Sequence, residues 1–480
     1  VRRDKHSLSH YRLSTLDMGM LTPVGLVEVL PGDTFQHSTS ALIRLTPLVA
    51  PVMHPVVVRL HHWFVPNRLT WPGWEDFITG GPDGLDTSTV PVVANTPTVK
   101  TLLDYLGVPP GTGFNVNALP IRAYNKIYNE FYRDQDLVPE VSEDNLDVQK
   151  VAWEKDYFTS ARPWPQKGAE ITLPLGTQAP VKGLGIYAAA THGGPQQVNE
   201  TDGSQPTYAN RVDTNNANSA AIESDGSAFP NVYADLSAAG AININDFRRA
   251  FALQRYQEAR AQYGSRFSEY LAYLGIRGSD ARLQRPEYLG GGKQTISFSE
   301  VLQTAETPTD SLGRMGGHGI SALRSRRYRR FFEEHGYVLT LMSVRPKAMY
   351  MQGTSRHWHK QDKEDYYQKE LAQIGQQPIF NKEIKDTHGD LEGTFGWQDR
   401  YSEYKHQKSS VSAEFRDNLL DFWHMAREFG TDPALNADFV ECEPTKRIYA
   451  IQTNDVLWCM VNHSIQARRM VRRSPASRII

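Results

Sequence analysis

The sequence predicts a mainly β protein, an antiparallel sandwich or barrel with large insertions that contain helices. Three observations lead there. Runs of strand length rich in Val, Leu and Ile are separated by proline and turn residues. These runs lie far apart in the chain, with loops and helices between them, as in antiparallel β architectures. Only two stretches show a clear helical period, and 28 prolines scattered along 480 residues argue against a bundle of long helices.

Residues 22–66 read as extended structure, divided by Pro23, Pro31, Pro47, Pro51, Pro55 and Pro66, with Pro31, Gly32 and Asp33 as a turn. Within this region Val56, Val58, Leu60, His62 and Phe64 fall on one strand face and Val57, Arg59, His61, Trp63 and Val65 on the other. Both faces are largely apolar or aromatic, which predicts a strand covered on both sides. The first helix begins near Pro120 and repeats Ile121, Tyr124, Ile127, Tyr128 and Phe131 at three- and four-residue spacing. From about Gly176 to Ala241, Gly, Ala, Asn, Ser, Thr and Asp dominate, a composition that reads as a surface insertion. The second helix starts near Asn245 and Asp246, presents Phe247, Ala250 and Phe251, and resumes after Gly264 with Phe267, Tyr270, Leu271 and Leu274. Further strands are predicted at Thr295–Phe298, Tyr337–Val344, Arg447–Ile451 and Val456–Val461.

Composition narrows the function. Hydrophobic residues make up 40% of the chain, enough for a packed core. The 52 Lys and Arg against 54 Asp and Glu leave a formal charge of -2, so any contact with nucleic acid must be local. No apolar run reaches the roughly 18 residues that span a bilayer, so membrane insertion is not expected. The charged start, Val1 to His6, lacks the apolar core of a signal peptide. Cys442 and Cys459 are the only cysteines, which suits a reducing compartment, with a single bridge between them the weaker alternative.

Catalytic motifs are sparse. Gly183-Leu184-Gly185-Ile186-Tyr187-Ala188 matches a dinucleotide fingerprint in letters, but no helix-forming stretch follows to receive a pyrophosphate. His357-Trp358-His359 would place two imidazoles on one face of a strand, but no third ligand is identifiable and a polar surface is the simpler reading. Glu441 and Glu443 share a strand face, whereas glycosidase carboxylates face each other across a cleft. Trp71, Trp74 and Phe77 could stack on a sugar, although core or subunit packing explains them better. No catalytic, metal or cofactor site is predicted. Basic clusters are more informative. Arg468, Arg469, Arg472, Arg473 and Arg478 form a tail without acidic residues, Arg2, Arg3 and Lys5 a smaller group, and Arg324, Arg326, Arg327, Arg329 and Arg330 surround Tyr328. Each is either a solvated face or a phosphate-binding element.

Longer strings carry a resemblance. Glu28-Val29-Leu30-Pro31-Gly32-Asp33-Thr34-Phe35 and Phe64-Val65-Pro66-Asn67-Arg68-Leu69 are followed by Leu119 to Glu130, Asp156 to Ala161, Pro163 to Gly168, Asp280 to Gly291, Glu334 to Val338 and Asn381 to Ile384. In this order they resemble the major capsid protein of gokushoviruses, small single-stranded DNA phages of the Microviridae. The strings span about Asp17 to Phe439; the run after Val461 has no counterpart in that pattern, so the reading of the arginine tail rests on charge.

The resemblance implies an eight-stranded antiparallel jelly roll of viral capsid type, not an enzyme. Its expected parts are an N-terminal arm (1–21), a jelly-roll domain (22–462) with insertions at 67–168, 176–241 and 242–292, and a basic C-terminal arm (463–480). It implies a sixty-copy T=1 icosahedral shell around circular single-stranded DNA, assembled in the cytoplasm of a bacterial host. Minor virion proteins, namely a DNA pilot and a small DNA-binding protein, and a host surface receptor would be the other partners. On this reading Arg2, Arg3, Lys5, Arg468, Arg469, Arg472, Arg473 and Arg478 meet DNA. Asn199, Tyr208, Asn215, Asn216, Phe229 and Tyr233 lie on a threefold protrusion that contacts the host, and Trp71, Trp74, Tyr124, Trp164 and Trp397 anchor subunit interfaces. The competing class is a soluble all-β carbohydrate-binding module or enzyme.

Overall fold

The computed structural model describes residues 3–472 except 83, 112, 170, 172–180, 188–195, 201–203, 209, 213–218, 223–231, 235–243, 264–266, 276–283, 307 and 309–311. Arg2, Arg473, Arg478, Asn215, Asn216 and Phe229 fall outside the described residues. The chain divides into two compact units, Val1–Pro165 with Arg260–Ile480, and Gln166–Ala259.

The first unit is built on two antiparallel sheets. Its main strands are β1 (Asp4–Ser7), β2 (His10–Leu16), β3 (Thr22–Val29), β4 (Thr34–Leu45), β5 (Val56–Pro66), β6 (Glu287–Thr295), β7 (Ser297–Leu302), β8 (Met315–Arg324), β9 (Tyr328–Phe331), β10 (Gly336–Pro346) and β11 (Leu457–Arg469). A seven-stranded sheet runs β1-β11-β4-β8-β7, with β2 also on β11 and β9 also on β4. A four-stranded sheet runs β6-β5-β10-β3. The predicted two-faced strand is β5. Val56, Val58 and Leu60 enter the core between the sheets, together with Ala41, Ile43, Met342, Val344, Cys459 and Val461. Trp63 and Val65 point the other way and join Leu339 and Leu341 of β10 in a second core.

That second core is capped by the predicted first helix, α1 (Leu119–Phe131). The side chain of Asn117 accepts from the Leu119 N–H at 2.8 Å and starts the helix. Ile121, Tyr124, Ile127 and Tyr128 turn toward the four-stranded sheet. The central strands of the four-stranded sheet, β5 and β10, are therefore covered on both faces. The seven-stranded sheet buries only one, and in β11 Leu457, Cys459 and Val461 are buried while Trp458 and Met460 are exposed.

A polar knot interrupts the apolar seam between the sheets. His37 and His463 come from the seven-stranded sheet and His62 from the four-stranded one, all buried. His37 Nε2 lies 3.3 Å from His463 Nδ1 and 3.0 Å from Thr39 Oγ1. His62 is 3.0 Å from Thr340 Oγ1 and 3.1 Å from Ser325 Oγ. His10 stacks on His463 at 4.8 Å, and Tyr328 Oη lies 3.0 Å from His37 Nδ1. Gly25 is required beside the knot, since a Cβ there would stand 2.6 Å from the His463 ring.

Several expectations are corrected. The supposed N-terminal arm holds β1 and β2, both paired with β11, and the boundary at 463 cuts through β11, which continues to Arg469. Arg447–Ile451 is not a strand: only Tyr449 makes an isolated bridge, to Leu48, and Arg447 instead gathers acceptors through its guanidinium. The second helical stretch holds α2 (Ile244–Tyr263) and α3 (Phe267–Tyr273), and its interruption at Gly264 lies outside the described residues. Both cysteines are free and buried, and burial pushes both thiols up to about 12. Among the described residues no helix is long and apolar enough to cross a membrane.

The histidine knot predicts an acid-sensitive fold. Burial, then the neighbouring His463 and His10, pulls His37 down to about 3, while burial, with His10 and Arg12 adding to it, pulls His463 down to about 4. Burial also holds His62 well below 6.5. Unfolded histidines take up protons below about 6.5 whereas these do not, so stability is full above that pH and falls as pH drops toward 4. The urea midpoint of the unassembled chain should fall between pH 7 and pH 5, and His463→Asn should flatten that slope. An equal slope in the variant would exclude the knot as its source.

Candidate nucleic-acid interface and assembly surfaces

The terminal cations converge because β1 and β11 pair. Lys5 sits opposite Arg468, and Asp4 opposite Arg469. Lys5 and Arg468 are exposed on the outer side of the seven-stranded sheet. Arg3 donates to the Gly32 carbonyl at 2.7 Å and to Thr34 Oγ1 at 3.1 Å, with its guanidinium 5.4 Å from the Phe331 ring centre. Arg472 is exposed. Strand alternation sends Arg469 the other way. It pairs with the fully buried carboxylate of Asp33 at 3.0 Å, donates to the Glu28 carbonyl and lies over Phe35. Arg469 thus serves the fold, a correction to its expected contact with DNA. Burial raises the Asp33 carboxyl above its usual range, with the Leu30 N–H and Arg469 opposing that shift.

The third basic cluster lies on the same sheet. Arg324 ends β8, and Arg329 and Arg330 lie in β9, where Arg330 pairs with Glu287 at 3.1 Å.

The interface candidates divide. Trp71 and Trp74 are half-buried and form an aromatic group with Phe77, at 5.3 Å and 5.7 Å. Trp164 and Trp397 are also half-buried, and the backbones of Trp397 and Arg162 exchange hydrogen bonds at 2.7 and 2.9 Å. Tyr124 is wholly inside the protomer, where its hydroxyl donates to the Leu21 carbonyl and accepts from the Gln149 N–H. It is a core residue and cannot anchor a subunit contact. Alternation and period single out the rings at Trp458 and Tyr11 only after the register is known; they are 50% and 70% exposed.

Within the Gln166–Ala259 unit, the described strands are short. Strand Leu184–Tyr187 pairs with Ser219–Ile222, which pairs with Asn210–Val212. Asn199 and Tyr233 are exposed, but Tyr208 is buried. The Tyr208 hydroxyl accepts from the Gly183 N–H at 3.0 Å beside the Lys182–Glu200 pair, so it braces this unit and is not a surface contact.

Among the described residues no group of three or more His, Cys, Asp or Glu side chains is placed to hold a metal ion. His357-Trp358-His359 forms a 3-10 turn and not a strand, and His359 Nε2 lies 2.5 Å from Thr354 Oγ1. The adjoining cavity, of about 410 Å³, has cations that are already engaged: Lys360 with Glu403, Arg356 with Glu383, and Lys408 with three backbone carbonyls. Burial pulls the Lys408 ammonium down to about 8, with Glu383 opposing.

The described residues form a β sandwich with exposed rings on its larger sheet and cations near both ends of the chain. Comparison with known proteins says which kind. The family described as "Capsid protein (F protein)" matches residues 1–476. Capsid protein VP1 of Bdellovibrio phage phiMH2K is 34% identical over 94% of this chain and 90% of its own length. The VP1 proteins of Chlamydia phage 1 and Spiroplasma virus 4 are 33% and 30% identical over 94% and 95% of this chain, and 91% of each relative. The chain belongs to this capsid protein family of Microviridae phages.

The two arginines of the C-terminal strand and tail should separate experimentally. Arg469→Ala leaves the buried Asp33 carboxyl without its cation and should cost about 3 kcal/mol in urea unfolding. Arg472→Ala, on the surface, should change stability by less than about 0.5 kcal/mol. Equal costs would contradict the division.

Proposed function

We propose that sixty copies of this chain close into a T=1 icosahedral shell that encloses circular single-stranded DNA, assembled in the cytoplasm of a bacterial host. The observation that supports this most is family membership across nearly the whole chain. The core is read as an eight-stranded jelly roll: setting aside the edge strands β1 and β2 and the short β9 leaves four strands in each sheet. The half-buried rings at Trp71, Trp74, Trp164 and Trp397 are candidate interface anchors, because aromatic side chains give large contact area at low entropic cost.

The Gln166–Ala259 unit is read as a threefold protrusion that meets a host receptor, with Asn199 and Tyr233 among its exposed residues. Its separation as a compact unit supports an element that varies without disturbing the sandwich. The cations Arg2, Arg3, Lys5, Arg468, Arg472, Arg473 and Arg478 are proposed to neutralise packaged DNA. A DNA pilot and a small DNA-binding protein would complete the particle.

Negative-stain electron microscopy of the purified chain should show uniform closed particles. A carbohydrate-binding module would instead remain a monomer or small oligomer. Deleting residues 180–240 should leave particles intact and abolish adsorption to cells; particles lost with adsorption retained would overturn the protrusion.

A further inference from the structure

The outward face of the seven-stranded sheet is built from alternate residues of seven strands, and no Asp or Glu occurs among them. The register places Lys5 beside Arg468, Arg329 beside Gln36, Arg324 beside Ser40 and Arg44 beside Trp458. All five cations are exposed. Arg44, Arg324, Arg329 and Arg468 have no ion-pair partner among the described residues. The same face exposes three rings, Tyr11 (70%), Trp458 (50%) and Phe331 (46%), at both ends and along one edge of the cationic run. Thr34 and Arg44 bound this run on β4, ten residues apart, or roughly 34 Å of strand.

We infer that this face is a platform for a single-stranded polynucleotide, whose phosphates follow the arginine track and whose bases stack on Trp458, Tyr11 and Phe331. The inference rests on the reading that the shell encloses single-stranded DNA and assigns the contact to the sheet, beyond the C-terminal arginines. A sheet face with rings among cations, and no carboxylate to repel phosphate, has the composition of sequence-tolerant single-strand binders. Charge argues against a second copy as occupant. Two such faces set against each other would oppose five cations with five. Base pairing would hide the bases from the rings, so duplex should bind more weakly than single strand.

The test uses the full chain as unassembled protomer and a fluorescein-labelled oligothymidylate of about twenty nucleotides, followed by anisotropy as salt rises. The triple variant Arg44→Gln, Arg324→Gln, Arg329→Gln should reduce the log-log salt slope by about 2, near 0.7 per lost phosphate contact. Trp458→Ala should weaken binding roughly tenfold without changing the slope, and Trp458→Phe should restore most of it, which a loss of folding would not do. The control Arg472→Gln, Arg473→Gln, Arg478→Gln removes tail charge only. The platform is overturned if the face variants bind like wild type while the tail control loses affinity. It is equally overturned if sedimentation shows Trp458→Ala breaking a dimer with oligothymidylate affinity unchanged. Enclosure is read separately, as nuclease-protected single-stranded DNA in assembled particles. Protected DNA with unaffected face variants sinks only the platform; particles empty of DNA with sensitive face variants sink only enclosure.

Discussion

The fold depends on two central strands, β5 and β10, being covered on both sides. Strand β5 sends Val58 and Leu60 into one core and Trp63 and Val65 into another, and β10 does the same with Met342 and Leu341. A strand covered twice contributes apolar burial from every residue, not from every second one, so a short segment organises two layers. The consequence passes outward. Helix α1 must lie on the far face to close the second core, and the seven-stranded sheet must supply the inner face of the first. What is left over is the outer face of that larger sheet, which neither core requires.

Much of this arrangement was legible in the sequence where the signal is local. The two-faced pattern of Val56 to Val65 and the helical period of Ile121 to Phe131 each state their own periodicity, and the structure realises both. What depended on a distant partner was not legible. His10–Leu16 reads as a polar arm until β11 is known to lie beside it. Arg469 looks like Arg468 in composition, and only the strand register reveals that one meets Asp33 and the other faces outward. Tyr124 and Tyr208 illustrate the same limit: an aromatic residue with a hydroxyl suits a surface, yet each hydroxyl is satisfied inside, by Leu21 and Gly183. Arg447–Ile451 has strand propensity, but a guanidinium that collects the carbonyls of Asp421 and Ala426 holds the backbone in turns.

The histidine knot occupies the place where the two sheets could most cheaply have been joined by aliphatic side chains. Buried polar groups cost free energy unless their partners are in place, so His37, His62 and His463 favour one alignment of the sheets over slipped ones. Slippage by one residue would turn the outer face of β11 inward. The knot therefore does for register what the apolar core cannot, because Val, Ile and Leu tolerate exchange of neighbours whereas Thr39, Thr340 and Ser325 do not.

Near-neutral net charge acquires a physical meaning from that register. With 52 basic and 54 acidic residues the protomer as a whole neither attracts nor repels a polyanion strongly. Segregation is achieved by alternation alone: in β11, Arg468 and Arg469 are adjacent in sequence and opposite in direction, one on the exposed face and one neutralising a buried carboxylate. Rigid strands hold the face's cations at set spacings, so they lose less conformational freedom on meeting phosphate than the same residues in a disordered tail.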